Sequence, residues 1–278
     1  MARHRILQIT DTHVVPRPGL LGGQIQTLDI LEDAIDRTLA MLPKLGTVDQ
    51  VLVTGDISDD GGAESYAAFR DQIERLGLPY LLIPGNHDLR EPLRAAFRDL
   101  DHIPQHGKID WVHDLEDLRI IGLDTLVEGV AHGEVGATSA AFLSDALADA
   151  GQRPVLLTLH HPPFDTGIGF MDRLGLLDRE LLAPILTGAA NPVLIVGGHV
   201  HRAIFGSAFG HPAIIGPSVA HAIDADYRND APEGFYVQHG GFMLHDWLGG
   251  SFRSTNVSLT DKLGPFLFGG SPRALNSN

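Results

Sequence analysis

Three adjacent polar residues, Asn86, His87 and Asp88, follow the apolar run 80–83 after a Pro-Gly pair. An amide, an imidazole and a carboxylate can together bind a metal ion or move a proton. The apolar run predicts a buried strand of a parallel sheet that ends at the proline, so the three side chains lie in the loop at its carboxyl end. Ligands of open α/β sheets bind at that end of the strands.

Four further polar clusters follow apolar runs in the same way. They are Asp11 and His13 after Ile6–Thr10, Asp56 after Gln50–Thr54, His160 and His161 after Val155–Leu159, and His199 and His201 after Val193–Val196. Residues two apart in an extended chain point the same way, so both members of a spaced pair could face one ligand. A single pair decides nothing, but five clusters on five strand ends are hard to attribute to chance.

The clusters hold too many ligands for one ion. Seven of the side chains would serve two metal ions that share a carboxylate: Asp11, His13, Asp56, Asn86, His160, His199 and His201. Because the chain has no cysteine, nitrogen and oxygen ligands must hold any transition metal, and this mixture suits iron, manganese, zinc or cobalt. Paired metals about 3.5 to 4 Å apart commonly clamp phosphoryl substrates and hold a hydroxide between them.

Composition limits the class of protein. The 278 residues, 44% of them hydrophobic, suit one large domain, which we place at residues 1–260 with a tail at 261–278. A formal net charge of −15 would repel a nucleic-acid backbone, so we expect no nucleic-acid partner beyond short oligonucleotides. The N-terminus has no apolar signal core and no apolar run reaches ~18 residues, so we expect a cytoplasmic protein without a membrane span.

The elements that position the clusters follow from the spacing of apolar residues. Helices are predicted at 28–42, 65–76, 90–100, 138–150 and 177–186, and a hairpin at 109–113 and 118–123. The β-helix-β-helix-β order up to residue 83 implies right-handed crossovers and a parallel sheet, which brings three strand ends to one edge. Short β-like pieces after Arg202 predict antiparallel sheet as a second layer. Residues 264–278 are expected to be poorly ordered unless a partner holds them.

The series DTH, GD, GNHD, HHPP and GHVH, in that order on strand ends, resembles the calcineurin-like metallophosphoesterases. It spans Asp11 to His201 and is most similar to the bacterial class III cyclic nucleotide phosphodiesterases and their glycerophosphodiesterase relatives. The resemblance implies an α/β fold, a four-layer αββα sandwich of two sheets flanked by helices. It also implies hydrolysis of small phosphodiesters, cyclic nucleotides or glycerophosphodiesters, by in-line attack of a metal-bridging hydroxide.

The resemblance also implies roles for the ligands. Asp11, His13 and His201 would hold one metal, Asn86, His160 and His199 the other, and Asp56 would lie between them. The family's pattern of His, any residue, Pro, then a residue before an aromatic fits residues 160–164, so His160 is preferred to His161.

Substrate-side roles are implied for three more residues. His87 would lie over the phosphate and either protonate the leaving alkoxide or stabilise its charge. Asp88 would orient His87, or alternatively cap the helix that follows. His221 would reach substrate, as a C-terminal histidine does in some relatives.

Two other functions stay open at this point. A phosphomonoesterase or protein phosphatase would need an arginine to grip extra phosphate charge, and Arg90 is near the GNHD motif. A metal-free binding scaffold would resemble those relatives that lost their metals, but no ligand is missing here. The alcohol groups on the phosphorus depend on loops without a readable code, at 16–23, 59–62 and 165–175. The stretches 242–247 and 264–268 are candidate apolar contacts of a homodimer.

Overall fold

The computed structural model describes residues 4–228, 230–238, 240–262 and 264. The strands are β1 His4–Ile9, β2 Gln50–Thr54, β3 Tyr80–Ile83, β4 Trp111–Asp114, β5 Arg119–Leu123, β6 Val155–Leu159, β7 Val193–Gly197, β8 Ile204–Ala208, β9 His211–Ile215, β10 Ala222–Ile223, β11 Phe235–Tyr236, β12 Gly241–Leu248 and β13 Ser251–Ser258. The α-helices are α1 Thr27–Leu45, α2 Ala63–Ile73, α3 Arg90–Ala96, α4 Gly136–Ala150, α5 Gly169–Arg173 and α6 Ala183–Thr187. Single 3-10 turns lie at Glu74–Leu76 and Arg179–Leu182.

Two large sheets organise these strands. The first has the order β13-β12-β1-β2-β3, in which β1, β2 and β3 run parallel. The second has the order β4-β5-β6-β7-β9-β8, in which β5, β6, β7 and β9 run parallel. A separate two-stranded piece joins β10 and β11.

The sheets form the middle layers of a sandwich with helices outside. Alternate residues of β6 show this arrangement, because Leu156 packs in a core shared with the first sheet and Leu157 packs against α4. On the other side, α1 buries Leu28, Leu31 and Ile35 at helical spacing against the first sheet. The αββα architecture implied by the resemblance is therefore confirmed.

The C-terminal strands include antiparallel pairs as predicted, β8 with β9 and β12 with β13, but they do not form a layer of their own. β9 lies parallel to β7 in the second sheet, whereas β12 pairs antiparallel with β1 in the first. The second layer thus begins at β4, and the last strands extend both sheets. Local patterns show that a segment is extended but not which distant strand it joins.

The apolar stretch 242–247 is not an exposed dimer contact as expected. It belongs to β12, which lies between β1 and β13, and Phe242 and Trp247 are buried. The other candidate, 264–268, and the tail lie almost wholly outside the described residues. The remaining predicted helices and the β4–β5 hairpin are found, although α3 ends at Ala96 and 177–186 is split between a 3-10 turn and α6. Within the described ranges, the helices include none with the length and apolar character needed to cross a membrane.

A polar side chain ties the two sheets together beneath the strand ends. The amide of Gln8 on β1 donates to the carbonyl oxygen of Gly197 on β7 at 2.7 Å and to Thr54 Oγ1 on β2 at 2.9 Å. Its Oε1 pairs with Nε2 of the buried His245 at 2.8 Å. Buried polar groups that are fully paired fix one arrangement of their neighbours, so Gln8 sets the position of one sheet against the other.

Candidate metal centre

Strand ends from both sheets meet at one place. The loops after β1, β2 and β3 come from the first sheet, and those after β6 and β7 come from the second. A direct bond crosses between them, because the backbone amide of His199 donates to both carboxylate oxygens of Asp11, at 2.9 and 3.1 Å. The five clusters that the sequence singled out therefore converge on the edge where the sheets meet.

One group of side chains combines residues after β1, β2 and β7. The Nε2 atoms of His13 and His201 are 3.1 Å apart, and Asp11 Oδ1 lies 3.5 Å from His201 Nε2. Two nitrogens bound about 2.1 Å from a common ion would have this separation if their bonds met near a right angle. Asp56 Oδ2 lies 3.4 Å from His13 Nε2 and completes a set of four that could hold a metal ion.

A second group lies on the other side of Asp56. Asn86 Oδ1 is 2.9 Å from His199 Nδ1 and 3.2 Å from His160 Nε2. The same Oδ2 atom of Asp56 lies 3.3 Å from His160 Nε2. One carboxylate oxygen thus belongs to both groups, while the other, Oδ1, accepts the backbone N–H of His87 at 2.9 Å.

The charges of these groups suit cations. Burial raises the pKa of Asp11 to about 6, so a nearby positive charge would favour its ionised form. Burial, together with His13, holds the pKa of His201 well below its usual range, so this imidazole is neutral and one of its nitrogens keeps a free lone pair. Nδ1 of His201 is buried and has no hydrogen-bond partner among the described residues. The cluster is therefore capable of binding metal.

The two histidines after β6 make different contacts. His160 Nδ1 bonds to the carbonyl oxygen of Thr54 at 2.8 Å, which aims Nε2 at the shared oxygen of Asp56. His161 lies close enough to belong to a potential ligand group, but both of its nitrogens are engaged. They contact Thr125 Oγ1 at 2.8 Å and the carbonyl oxygen of Ala131 at 3.2 Å. His160 is thus the residue that presents a ring nitrogen to the cluster.

Backbone conformation differs from the extended geometry that the spacing suggested. Five cluster residues have positive φ: Asp11 at 52°, His13 at 43°, Asp56 at 49°, His199 at 73° and His201 at 55°. Residues other than glycine rarely adopt this region, which costs on the order of 1–2 kcal/mol each. Bonds between the loops hold it, such as those from the N–H of Asp11 to Gly55 and from the N–H of His13 to Asp56. The paired residues face one centre because the chain turns after each strand.

Two glycines allow the loops to approach one another. A Cβ on Gly85 would lie 2.2 Å from Asp56 Oδ1, and one on Gly55 would lie 2.5 Å from His160 Nδ1. Gly55 also has a φ of 95°, which disfavours any side chain there. The glycines of the GD and GNHD motifs therefore make room for the ligands beside them.

Asp88 has a different neighbour from the one the sequence suggested. Its buried carboxylate accepts the N–H groups of Ile57, Ser58 and Gly85 at 2.8 to 3.2 Å, and the hydroxyl of Tyr66 at 3.1 Å. These bonds tie the loop after β2 to the loop after β3. Asp88 does not contact the ring of His87 as expected. Its carboxylate is already occupied by the backbone amides.

Asp59 takes the place beside His87 instead. Nδ1 of His87 lies 3.1 Å from both the carbonyl oxygen and Oδ1 of Asp59. Burial would lower the pKa of His87, but the bond to Asp59 and the charge of Asp56 raise it to about 10. The sequence places Asp59 only in a loop that could contact substrate. Its position three residues after Asp56 is the one sequence feature that would have suggested a place beside the cluster.

An open cleft lies over the cluster on both sides of His87. One cavity of about 200 Å³ adds Leu21, Met171, Leu174 and Ile223 to the cluster's histidines. A second, of about 300 Å³, shares Asp59, Asn86 and His87 and continues past Leu89 and Val130. The loops 16–23, 59–62 and 165–175 thus all contribute to the walls. The cleft therefore leaves room for a ligand on either side of His87.

His221 lies at the same cleft after β9. Its ring is 4.3 Å from that of His201 and 5.3 Å from that of His13, and it lines the 200 Å³ cavity. Nδ1 of His221 is buried and has no partner among the residues that the structure describes. The residue is placed to contact a ligand in the cavity.

Comparison with known proteins identifies the family. The sequence model of the calcineurin-like phosphoesterases matches residues 4–203. The chain belongs to the calcineurin-like phosphoesterase family. It is 31% identical over 267 residues to a probable glycerophosphodiester phosphodiesterase of Arcobacter nitrofigilis, covering 95% of this chain and 96% of that protein. It is also 30% identical over 245 residues to a cAMP/cGMP dual specificity phosphodiesterase of Mycobacterium tuberculosis, covering 86% and 75%.

A solved structure supports the same fold for this calcineurin-like phosphoesterase. A dimetal phosphatase from Danio rerio superposes with a TM-score of 0.68 over 94% of this chain and 98% of that one. At 14% identity, the likeness concerns the fold alone. The sandwich is thus the fold of this family.

Proposed function

We propose that this protein is a dinuclear metal-dependent phosphodiesterase that hydrolyses small phosphodiesters. The observation that carries the proposal is the position of Asp56 Oδ2, which lies within 3.4 Å of ring nitrogens on both sides. A carboxylate oxygen between two ligand groups suits a pair of ions rather than one. Relatives named as glycerophosphodiester and cyclic nucleotide phosphodiesterases support these two classes of substrate.

The two ligand groups define two metal positions. We assign Asp11, His13 and His201 to one ion, Asn86, His160 and His199 to the other, and Asp56 to both. Imidazole, carboxylate and amide ligands suit iron, manganese, zinc or cobalt. When bound, the metal pair supplies polarisation of the phosphate and activation of the attacking water.

His87 acts on the leaving group in this proposal. Its Nδ1–H is held by Asp59, so Nε2–H is the donor available to substrate. A raised pKa keeps the ring protonated at neutral pH. Water gives up one proton and attacks phosphorus, the bond to the alcohol oxygen breaks, and Nε2 gives its proton to the departing alkoxide; the ring then regains a proton from solvent. A linear diester gives an alcohol and a phosphomonoester, whereas a cyclic nucleotide opens to one product that carries both groups. His221 would contact the substrate from the wall of the same cavity.

The position of Arg90 supports a diester rather than a monoester as the substrate. Its guanidinium donates to both oxygens of Asp124 and to the carbonyl oxygen of Leu126, and it lines neither cavity of the cleft. An arginine engaged in this way is not free to grip the additional charge of a monoester. Arg90 was the residue that favoured a phosphomonoesterase or a protein phosphatase. Its contacts with Asp124 and Leu126 therefore weaken both alternatives.

Hydrolysis of model esters tests the proposal. Purified protein would be supplied with manganese, iron, zinc or cobalt, and turnover of bis(p-nitrophenyl) phosphate compared with that of p-nitrophenyl phosphate. We expect the diester to be cleaved faster. The proposal would be overturned if protein with confirmed bound metal cleaved neither ester. A panel of cyclic AMP and glycerophosphodiesters would then identify the natural alcohol groups.

A further inference from the structure

His161 has no part in the proposed reaction, yet it is fully buried beside the metal centre. Nε2 of its ring lies 3.2 Å from the carbonyl oxygen of Ala131, and Nδ1 lies 2.8 Å from Oγ1 of Thr125. A carbonyl oxygen can only accept, so Nε2 carries the proton and donates it to Ala131. In a neutral imidazole the other nitrogen then accepts, and Nδ1 takes the hydroxyl hydrogen of Thr125.

The bond to Ala131 restrains one wall of the cleft, the segment 127–132 between β5 and α4. Gly129, Val130 and Ala131 line the cavity of about 300 Å³, and Ala131 also lines the cavity of about 200 Å³. Among the described residues, the backbone of this wall makes one hydrogen bond to a distant part of the chain, and that bond comes from His161. The side chain of Glu128 adds a tether, because it accepts the backbone N–H of Arg90 at 2.9 Å.

The ring of His161 fills the space between this wall and the centre. A Cβ on Gly133 would lie 2.2 Å from Nδ1 of His161, so the backbone that follows the wall lies directly against the ring. The centroid of the same ring is 4.6 Å from that of His199 and 4.9 Å from that of His160. The position of the wall relative to these two histidines therefore depends on His161.

We propose that His161 is a positioning residue that determines the width of the cleft beside the metal centre, and through it the substituents that a diester can carry. The inference rests on the proposed function for its effect on substrate. Val130 on the wall and Leu89 line the same cavity and are 40% and 36% exposed, so a substituent bound there would bury apolar surface against both. A displaced wall would change this fit while the seven proposed ligands keep their places.

Three variants and a matched control separate this role from a general loss of structure. His161→Leu removes both bonds and keeps a side chain that fills the space. His161→Gln places an amide N–H where it can still donate to Ala131. Thr125→Val removes only the partner of Nδ1 and is the milder change if His161→Leu does not fold. The control is His211→Leu, which removes another bond from histidine Nε2 to a carbonyl oxygen, that of Leu186, and lines neither cavity.

The first expected result is a change in amide hydrogen exchange over residues 126–134, measured by mass spectrometry. Exchange should become faster in His161→Leu and, to a smaller extent, in Thr125→Val, because the wall loses its tether. It should stay at the level of the unmodified protein in His161→Gln and His211→Leu. This measurement needs no enzymatic activity. Unchanged exchange in folded His161→Leu, or in Thr125→Val if the first variant does not fold, would overturn the inference.

Manganese content after dialysis separates a positioning role from a ligand role. His161 is close enough to His160 and His199 to belong to a potential ligand group. We expect His161→Gln to retain as much manganese as the unmodified protein, because both nitrogens of His161 are already bonded to the wall and to Thr125. Loss of an ion in this variant would place His161 among the ligands and overturn the assignment.

The second expected result concerns selectivity at saturating manganese. Methyl p-nitrophenyl phosphate and bis(p-nitrophenyl) phosphate share a leaving group, so a difference between them reports the fit of the second substituent. His161→Leu should raise KM for the larger ester about 2- to 10-fold with a smaller change in kcat, the range expected for one lost hydrogen bond, and His161→Gln should restore it.

Two kinetic outcomes would refute the role in substrate fit. One is an equal fall in kcat for both esters with KM unchanged, and the other is a His161→Gln variant as impaired as His161→Leu. If the unmodified protein with bound metal cleaves neither ester, the proposed function fails, and hydrogen exchange alone decides whether His161 holds the wall.

Discussion

Arg90 and Asp124 form an ion pair with two hydrogen bonds, from Nε at 2.6 Å and from a terminal nitrogen at 2.9 Å. The carboxylate is fully buried and also accepts the N–H groups of Ile109 and Leu126. The ion pair therefore links the first residue of α3 to the loop after β5.

We predict that Arg90→Ala destabilises the protein without altering its preference for diesters. Removing one partner leaves a buried carboxylate uncompensated, which costs on the order of 3–5 kcal/mol. Chemical denaturation would measure the free energy of unfolding, with the exposed Arg98→Ala as control. A rise in the ratio of diester to monoester hydrolysis in folded Arg90→Ala would contradict this assignment, since it would show that Arg90 supports monoester cleavage.

Asp56→Ala should abolish diester hydrolysis and reduce the metal content of the protein. The change removes the one oxygen common to both ligand groups, so neither ion keeps its full set of donors. Metal analysis after dialysis and turnover of bis(p-nitrophenyl) phosphate provide the two measurements. Asp71→Asn, an exposed carboxylate on α2, is the control and should behave like the unmodified protein. Retention of two ions by Asp56→Ala would show that the carboxylate does not bridge.

His87→Ala should separate chemistry from metal binding. Loss of a positioned acid lowers rates by about 10²- to 10⁴-fold, whereas the seven proposed ligands are untouched. The measurement is kcat for a glycerophosphodiester at saturating metal, together with metal content. If metal were lost in parallel with the rate, His87 would have to be counted among the ligands.

Stability should fall in mild acid because of His245. Burial lowers the pKa of this histidine from 6.5 to about 3 in the folded protein. The unfolded chain takes up the proton below about pH 6.5 and the folded chain does not. Stability is thus lost as the pH falls from about 6.5 towards 3, by up to about 1.4 kcal/mol per pH unit.

Replacing the histidine tests that expectation. In His245→Gln this contribution to the pH dependence disappears, so the variant's free energy of unfolding should decline less steeply with acid. Denaturation at several pH values would measure the slope, and the exposed His106→Gln serves as control. An unchanged slope in His245→Gln would mean that His245 is protonated in the folded state.

The sequence predicts those features of the site that depend on local order. Apolar runs that end in polar residues locate the strand ends, and helical spacing locates α1, α2 and α4. The insertion of β12 beside β1 is not predictable in this way, because it joins residues more than two hundred positions apart.

Asp59, rather than the predicted Asp88, lies beside the ring of His87 for a similar reason. Asp88 adjoins His87 in the sequence and Asp59 lies 28 residues before it, yet the geometry of the turns brings Asp59 to the ring. The left-handed backbone at His13 or His201 likewise cannot be seen in the pattern, since only a small minority of histidines adopt it.

Gly85 and Gly55 limit how this centre could be copied or recognised. A designer who grafted the seven donors onto another pair of sheets, with alanine at either glycine position, would force a side chain into Asp56 or His160. A natural protein with the same replacement would retain all seven donor residues in its sequence and still be unable to assemble the centre. The absence of a methyl group is therefore as much a requirement for this chemistry as the presence of an imidazole.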